Sequence, residues 1–505
     1  MRGRSDLPTV IDGRGARPTL LDRTLRNLRT AWRDIAAAAR GAVGAPPRPS
    51  LPREDAERLK QQMKACLEAR GGEVSARARA AGLGRTYLSL DATGRRNFLR
   101  ILALDFASDP VAIDAAIDQV TQAATTEARH AAERTLRRVL EPGRLHLLTQ
   151  FNGLPEGVKF LVDLRAEMLA LRGDEPAIAE LESDLKGLLR SWFDVGFLEL
   201  RRITWDSPAS LLERLISYEA VHAIRSWHDL KNRLDSDRRC FAFFHPSMPD
   251  EPLIFVEVAL VDSMSDRIEP LLDEQAPLLD PRAADTAIFY SISNAQQGLA
   301  GISLGNFLIK RVVDLLTADL PNLKTFATLS PIPGFRHWLA EELAARGDEV
   351  LLDAERERLL PFAAEFGNAA GDGAGEKTGE GGRPLLAVLL DRPDWPARDD
   401  LVQALREPLL RLGAHYLLSE RQKSGSRTAP RALDPVAHFH LSNGARMERL
   451  NFLGDTSPNG LRQSAGLMIN YLYRLSHIEA NHEAYRGEGK ITSSTSLRGL
   501  LKNAG

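Results

Sequence analysis

Residues 287–333 read AIFYSISNAQQGLAGISLGNFLIKRVVDLLTADLPNLKTFATLSPIP, and this stretch decides the fold of the second half of the chain. Residues 287–293 form a short apolar run with aromatic and β-branched members, which is typical of a buried strand. From about Leu304 apolar residues recur at helical spacing, and Pro321 ends the helix. Residues 323–329 predict a second strand. The order strand, loop, helix and strand predicts two parallel strands joined by a right-handed crossover.

The loop between the first strand and the helix contains Gly298, Gly301 and Gly305. Glycine has no Cβ, so the backbone can approach a ligand closely there. The crossover brings this loop and Ser330 to the carboxyl edge of the sheet, where α/β proteins bind ligands. A helix amino terminus favours an anion, so we expect a phosphate. The spacing matches no general nucleotide motif, and a connector without a ligand stays open.

Composition limits the class of protein. The chain has 505 residues, enough for roughly two to four domains, and its 43% hydrophobic and 27% charged residues are ordinary for a globular protein. A net charge of −2 gives no bulk attraction to nucleic acid or an anionic membrane. The only cysteines, Cys66 and Cys240, exclude a disulfide framework and a cysteine metal site. No apolar run is long enough to cross a bilayer, so we expect a cytoplasmic protein.

Three regions differ in pattern. Residues 1–50 are rich in arginine and predict a mobile arm. Residues 51–200 repeat apolar positions at three and four, which predicts a helical bundle of roughly six to eight helices with a structural or oligomerising role. Residues 201–505 mix strands and helices, and residues 367–383 predict a mobile glycine-rich loop.

Two histidines lie close together near the carboxyl end. Residues 436–441 alternate in a way that predicts a short strand, with a hairpin turn at Asn443 and a returning strand at 447–453. This strand would put His438 and His440 on one face. The pattern brings no third ligand near them, so a proton-transfer role suits one of them better than a metal site. A helix is expected to follow, through about Tyr473.

Several long blocks resemble the malonyl-CoA decarboxylase family. They are FYSIS, QQGLAGISLGNFLIKRVV and LSPIPGF within residues 289–335, and DPVAHFHLSNGA at residues 434–445. The blocks HPSMPDEPL at residues 245–253 and GLMINY at residues 466–471 are similar to the family as well. The resemblance implies an α+β multidomain fold, in which an all-helical amino-terminal bundle precedes a GNAT-like mixed α/β catalytic domain.

The resemblance also implies a site. Ser330 falls on the family's catalytic serine and His440 on its catalytic histidine, while Asn443 is a candidate contact to the malonyl group. The residues implied to bind acyl-CoA are Ala300, Gly301, Ile302, Ser303, Leu304, Gly305 and Asn306, together with Ser330 and His440. Ser303 stands where animal members carry a glutamate. No metal is expected. No separate cofactor is expected either, because coenzyme A is part of the substrate.

The implied reaction converts malonyl-CoA to acetyl-CoA and CO₂ through a thioester enolate that His440 protonates. The implied partners are malonyl-CoA and further copies of the chain, in a dimer or tetramer formed through the helical domain. A GNAT-type acyl-CoA transferase is the nearest alternative, since it would use the same loop. A non-catalytic acyl-CoA sensor is a second alternative, from a different class of protein.

Overall fold

The computed structural model describes residues 32, 33, 35, 46–68, 73–302, 308–369, 383–422 and 429–502. These residues divide into two compact units. The helical unit contains the described residues up to Trp192 together with Gln296–Ile302. The mixed unit contains Phe193–Ala295 and the described residues after Ile302.

The helical unit has eight helices among its described residues. They are Arg53–Leu67, Glu73–Ser89, Ala92–Asp105, Pro110–Gln122, Thr126–Leu140, Gly143–Asn152, Gly157–Leu171 and Pro176–Trp192. Side-chain caps start three of them, because Asp91, Asp109 and Thr125 each accept a hydrogen bond from a backbone N–H of the first turn. The short 3₁₀ helix Gln297–Leu299 also belongs to this unit.

An aromatic cluster forms the centre of the helical unit. The ring of Trp32 packs edge-on against Phe160 at 5.0 Å, and its indole N–H donates to the carbonyl of Pro155. Trp32 is fully buried. The prediction of a mobile arm is therefore wrong at this position, because burying an indole ring contributes about 1.5–3 kcal/mol or more to folding. Most of residues 1–45 lie outside the described residues.

The mixed unit is built on an eight-stranded sheet. Its strands are β1 Glu199–Ile203, β2 Arg238–Phe244, β3 Ile254–Val261, β4 Thr286–Asn294, β5 Thr325–Thr328, β6 Ser330–Pro331, β9 Arg446–Asn451 and β10 Met468–Leu472, with a separate hairpin of β7 Arg421–Gln422 and β8 Arg431–Ala432. The strand order is β1-β2-β3-β4-β5-β10-β6, and β9 pairs with the other edge of β10. The predicted boundary after residue 200 falls within β1.

The pair β4 and β5 is parallel, as the sequence predicts. Its ladder runs only from Thr286↔Thr325 to Phe289↔Thr328, with one further backbone bond from Leu329 to Phe289. Beyond that point β4 continues to Asn294 without β5 beside it. The two strands therefore part at their carboxyl ends.

Glu219 holds the carboxyl end of β4, which extends beyond its pairing with β5. The hydroxyl of Ser291 donates to the Glu219 carboxylate at 2.8 Å, and the hydroxyl of Ser293 donates at 3.0 Å. All three side chains are buried. These contacts hold the carboxyl end of β4 in place, where β5 no longer pairs with it.

Twelve helices complete the described part of the mixed unit. They are Ala209–Tyr218, Trp227–Arg233, Glu269–Leu272, Leu308–Asp319, Phe335–Arg346, Asp353–Ala369, Leu385–Leu390, Asp399–Leu418, Pro435–Ser442, Pro458–Ser464, Ile478–Glu488 and Thr495–Lys502. The predicted glycine-rich loop at residues 367–383 begins within a helix, which ends at Ala369, and residues 370–382 lie outside the described residues. The predicted class, a helical amino-terminal part followed by a mixed sheet part, is confirmed.

Candidate active site

Ser330 lies where the sheet changes partners. The ladder between β4 and β5 has ended just before it, and Ser330 pairs instead with Ile469 of β10. The Ser330 side chain is buried. Leu329 thus separates β5 from β6, and the serine belongs to a segment that pairs with β10.

His440 lies on a helix and not on a strand. Asp434 caps the helix Pro435–Ser442 by accepting hydrogen bonds from the backbone N–H groups of Val436 and Ala437. Pro435 occupies the first turn, where its missing N–H costs nothing. The predicted strand at residues 436–441 is wrong, because this cap and proline outweigh a short period-two alternation.

The helix also separates the two histidines. Residues two apart on a helix point roughly 200° from each other, so His438 and His440 do not share a face. His438 Nδ1 lies 2.8 Å from the hydroxyl of Tyr485. His440 faces the sheet and contacts Ser330.

Ser330 and His440 form a hydrogen-bonded pair. The distance from Ser330 Oγ to His440 Nε2 is 3.1 Å. The other ring nitrogen, Nδ1, lies 2.8 Å from the hydroxyl of Tyr473. A neutral imidazole has one N–H donor and one acceptor nitrogen, so one hydroxyl donates to the ring and the other accepts from it.

Tyr471 of β10 and Tyr473, which directly follows this strand, fix the plane of the imidazole. The ring of Tyr471 stacks on His440 at 4.4 Å with an interplanar angle of 24°. Tyr473 meets the same imidazole nearly edge-on at 6.2 Å. The sequence prediction of a helix through Tyr473 is wrong, since Met468–Leu472 is a strand. Tyr473 follows it directly, and both tyrosine rings contact His440.

Burial sets the charge state of the histidine. His440 is 2% exposed, and burial lowers the pKa of its imidazole from 6.5 to about 3. Burial likewise raises the pKa of the Tyr473 hydroxyl well above its ordinary value. At neutral pH the triad of Ser330, His440 and Tyr473 is therefore uncharged.

Thr328 connects the serine to the sheet. Its Oγ1 lies 2.8 Å from Ser330 Oγ and accepts a hydrogen bond from the backbone N–H of Tyr471. The side-chain amide of Asn470 donates to the carbonyl of Thr328 at 2.7 Å. Thr328 and Asn470 thus connect the Ser330 hydroxyl to the backbone of β10 and β5.

Asp434 links the histidine helix to the LSPIPGF segment. It accepts a hydrogen bond from the backbone of Gly334, and the hydroxyl of Tyr416 donates to it at 3.4 Å. Burial raises the pKa of this carboxyl. A Cβ at Gly334 would lie 2.1 Å from the Tyr416 hydroxyl, so only glycine allows this close approach.

The remaining predicted acyl-CoA residues lie partly in the helical unit and partly outside the described residues. Ala300, Gly301 and Ile302 belong to the helical unit, whereas Ser330 and His440 belong to the mixed unit. Ser303, Leu304, Gly305 and Asn306 lie outside the described residues. The side-chain amide of Asn443 donates to the carbonyl of Phe439 at the end of the histidine helix. Its contact to a malonyl group stays a prediction.

Comparison with known proteins decides the family. The model of the malonyl-CoA decarboxylase C-terminal domain matches residues 196–505, and that of the N-terminal domain matches residues 106–193. The chain belongs to the malonyl-CoA decarboxylase family. Family membership makes the protein an enzyme and leaves the roles of individual residues to be argued from geometry.

Relatives across the malonyl-CoA decarboxylase family agree over most of the chain. The mitochondrial malonyl-CoA decarboxylase of Anser anser anser is 39% identical over 435 residues, which cover 83% of this chain and 82% of that protein. The Rattus norvegicus protein is 39% identical over 381 residues, 73% of each chain. Both animal relatives are named as mitochondrial, and the cytoplasmic location expected here stays a prediction.

Solved structures from the malonyl-CoA decarboxylase family give the same result. The enzyme from Rhodopseudomonas palustris is 42% identical with a TM-score of 0.77, and the match covers 88% of this chain and 99% of that one. The enzyme from Agrobacterium vitis is 40% identical with a TM-score of 0.73 over the same shares. The helical and mixed parts of this chain are thus both represented in known structures.

Two further features bear on this family member. Among the described residues, no group of three or more His, Cys, Asp or Glu side chains could hold a metal ion. No described helix has the length and apolar character that spanning a bilayer requires.

Sequence reasoning missed Tyr471 and Tyr473. The available signal was the spacing of the two rings in MINYLY, two residues apart within a short apolar run that follows Gly466. Such a run is too short for a helix of ordinary length and fits a buried strand better.

Proposed function

We propose that this enzyme decarboxylates malonyl-CoA to acetyl-CoA and CO₂, and that His440 protonates the α-carbon of the resulting thioester enolate. The observation that carries the proposal is the hydrogen bond of 3.1 Å between Ser330 Oγ and His440 Nε2 within a buried, uncharged group. The names of the relatives support the choice of substrate.

The chemistry balances with one proton. The bond between the α-carbon and the carboxylate breaks, CO₂ leaves, and the electron pair moves into the thioester carbonyl to form an enolate. A proton then bonds to the α-carbon, so each turnover consumes one proton. The thioester is itself the electron sink, and we therefore expect no cofactor beyond the coenzyme A of the substrate.

The low pKa of His440 implies that the imidazole takes up its proton only when the substrate binds. In the free protein the imidazole is neutral at pH 7, because burial lowers its pKa to about 3. A malonyl carboxylate beside the ring brings a negative charge, which favours the imidazolium form. The charge moves to the enolate when CO₂ leaves, and the imidazolium stands next to it as the general acid.

Ser330 and Tyr473 position this acid. Their hydroxyl groups hold the two ring nitrogens of His440, at 3.1 Å and 2.8 Å. The Ser330 hydroxyl lies within hydrogen-bond distance of Nε2, so it can also relay a proton between this nitrogen and a bound substrate. General acid catalysis by a positioned histidine contributes about 10²–10⁴ in rate.

The test is an assay without an acyl acceptor. Purified protein incubated with malonyl-CoA alone is expected to release CO₂ and form acetyl-CoA in equal amounts, followed by chromatography of the thioesters and trapping of the gas. A transferase would leave malonyl-CoA intact until an acceptor is added. A sensor would bind the thioester and never turn it over, and either result would overturn the proposal.

We also propose that the protein assembles through its helical unit into a dimer or tetramer. Among the described residues of this unit, four large apolar side chains are exposed, namely Leu104, Val111, Ile117 and Leu140. Light scattering of the purified protein measures the mass in solution. A mass equal to one chain at micromolar concentration would exclude the assembly.

A further inference from the structure

A buried arginine of the helical unit holds the loop Gln296–Ile302. Arg165, on the helix Gly157–Leu171, is 1% exposed. Its guanidinium donates to the carbonyl of Gly298 and, at 2.8 Å, to the carbonyl of Ala300. The planar fork of arginine matches two carbonyls in this way, and a lysine would not. The backbone of the loop is thus fixed at two alternate residues.

The arginine is itself held in place. Its Nε donates to Glu182 Oε1 at 2.8 Å, and Glu182 is also buried. A buried guanidinium is costly unless its donors are satisfied, and here the carboxylate and the two loop carbonyls satisfy it. The loop approaches the helix so closely that a Cβ at Gly298 would lie 1.7 Å from the carbonyl oxygen of Val162.

Fixing one carbonyl fixes the next N–H. In a trans peptide the C=O and the following N–H point in opposite directions, so the Gly301 N–H points away from Arg165. This N–H has no acceptor among the described residues. Gly301 is exposed and has a φ of +70°, a conformation that glycine adopts readily. The arrangement leaves a fixed, outward-facing donor.

A lysine lies beside that donor. Lys186 follows Glu182 by one helical turn on Pro176–Trp192, so the two side chains share a face. Its Nζ lies 3.4 Å from the position that a Cβ on Gly301 would occupy. The side chain is half-buried, and within the part of the chain that the structure describes it has no hydrogen-bond or ion-pair partner. The Lys186 ammonium group therefore lies close to Gly301, and among the described residues neither it nor the Gly301 N–H has a protein partner.

We propose that Lys186 Nζ and the Gly301 N–H bind a phosphate group of coenzyme A, and that Arg165 is the positioning residue that aims the loop. The helical unit then takes part in substrate binding, beyond the structural or oligomerising role that its sequence suggests. The choice of coenzyme A rests on the proposed function. The choice of a phosphate rests on an ammonium group that lies near an exposed backbone amide, which is the chemistry of anion binding.

The first experiment removes the cation. Lys186→Gln is expected to raise the KM for malonyl-CoA about tenfold, the effect of losing one charge-assisted hydrogen bond, while kcat stays unchanged. Lys186→Arg keeps the cation and should restore most of the affinity. Lys64→Gln makes the same charge change on an exposed lysine of Arg53–Leu67 and should change neither constant.

The second experiment varies the substrate. Malonyl-pantetheine has the same thioester and no phosphate, so Lys186→Gln should leave its KM unchanged. Malonyl-dephospho-CoA lacks only the 3′-phosphate. If Lys186→Gln still raises the KM for this substrate, the lysine contacts the diphosphate. If the KM no longer changes, the lysine contacts the 3′-phosphate. An equal loss with malonyl-pantetheine would overturn the proposal, since the lysine would then act through the fold.

Calorimetry with free coenzyme A separates this proposal from the decarboxylase reaction. Wild-type protein should bind coenzyme A more tightly than Lys186→Gln does. Added salt should lower the affinity of the wild-type protein for coenzyme A more than that of the variant. Equal affinities for the two proteins would overturn the phosphate contact even if malonyl-CoA is turned over. Absence of turnover with a normal difference in affinity would instead overturn only the proposed reaction.

Discussion

Ser330 Oγ and His440 Nε2 lie 3.1 Å apart although 110 positions separate the two residues in the chain. The contact joins a two-residue strand to a capped helix, and both side chains are buried. Removing either partner leaves the other in place, because Thr328 still contacts the serine and Tyr473 still contacts the histidine.

His440→Asn is expected to lower kcat for malonyl-CoA by at least about tenfold, because it removes the proposed general acid. Ser330→Ala should do the same by freeing Nε2. Coenzyme A affinity should change little in either variant. His438→Asn is the matched control, since this histidine sits on the same helix and contacts Tyr485 instead. Near-normal turnover in both the Ser330 and His440 variants would exclude the assignment.

Tyr473→Phe is expected to lower kcat about tenfold without raising KM, because the hydroxyl fixes Nδ1 of His440 and is not expected to touch the substrate. Steady-state kinetics separates the two constants. Tyr485→Phe, which removes the corresponding hydroxyl from His438, should leave kcat unchanged. If the two variants behave alike, Tyr473 has no special role toward His440.

Burial of neutral His440 makes stability depend on pH. Its pKa is about 3 in the folded protein and 6.5 for an exposed imidazole, so the unfolded chain binds a proton first as pH falls. The contribution of His440 to the free energy of unfolding is complete above pH 6.5 and decreases by about 1.4 kcal/mol per pH unit below it, until about pH 3.

Chemical denaturation of wild-type protein and His440→Gln at pH 7.5 and pH 5.5 measures this term. The stability difference between the two proteins should move in favour of the variant at the lower pH. The comparison is needed because burial also lowers the pKa of His222, to about 4, and this histidine titrates in the same window in both proteins. A difference that does not vary with pH would show that folding does not lower the pKa of His440.

Gly298→Ala is expected to raise the KM for malonyl-CoA and lower the stability of the helical unit. The added Cβ would lie 1.7 Å from the carbonyl oxygen of Val162, so the loop must move away from Arg165. Gly187→Ala is the control, because nothing lies within 4 Å of its Cβ position on the helix Pro176–Trp192. That change should stabilise the protein by about 0.5–1 kcal/mol. Thermal unfolding and kinetics of both variants make the comparison.

Local pattern was enough to predict the strand, loop, helix and parallel strand that lead to Ser330. The signals there are strong, because a buried strand, an amphipathic helix and Pro321 each follow a simple period or stop rule. The pairing of Ser330 with His440 came from the resemblance of whole blocks to a family. No local period relates two side chains that meet only in the folded sheet.

The errors occurred where two local signals compete. The run VAHFHL alternates like a strand, yet Asp434 and Pro435 start a helix immediately before it. The opposite error placed a helix over β10, whose Tyr471 stacks on the imidazole. Arg165 left no trace in the sequence pattern, because its contact to Gly298 spans 133 positions and depends on packing alone.

The grouping of Gln296–Ile302 with the helical unit means that the polypeptide enters that unit twice. A protein shortened to begin at Phe193 would keep this segment and lose the guanidinium, the valine carbonyl and the lysine that surround it. Melting of the amino-terminal helices would release the segment as well. Heating is therefore expected to abolish coenzyme A capture at the temperature where those helices unfold, even while the sheet beside the imidazole is still intact.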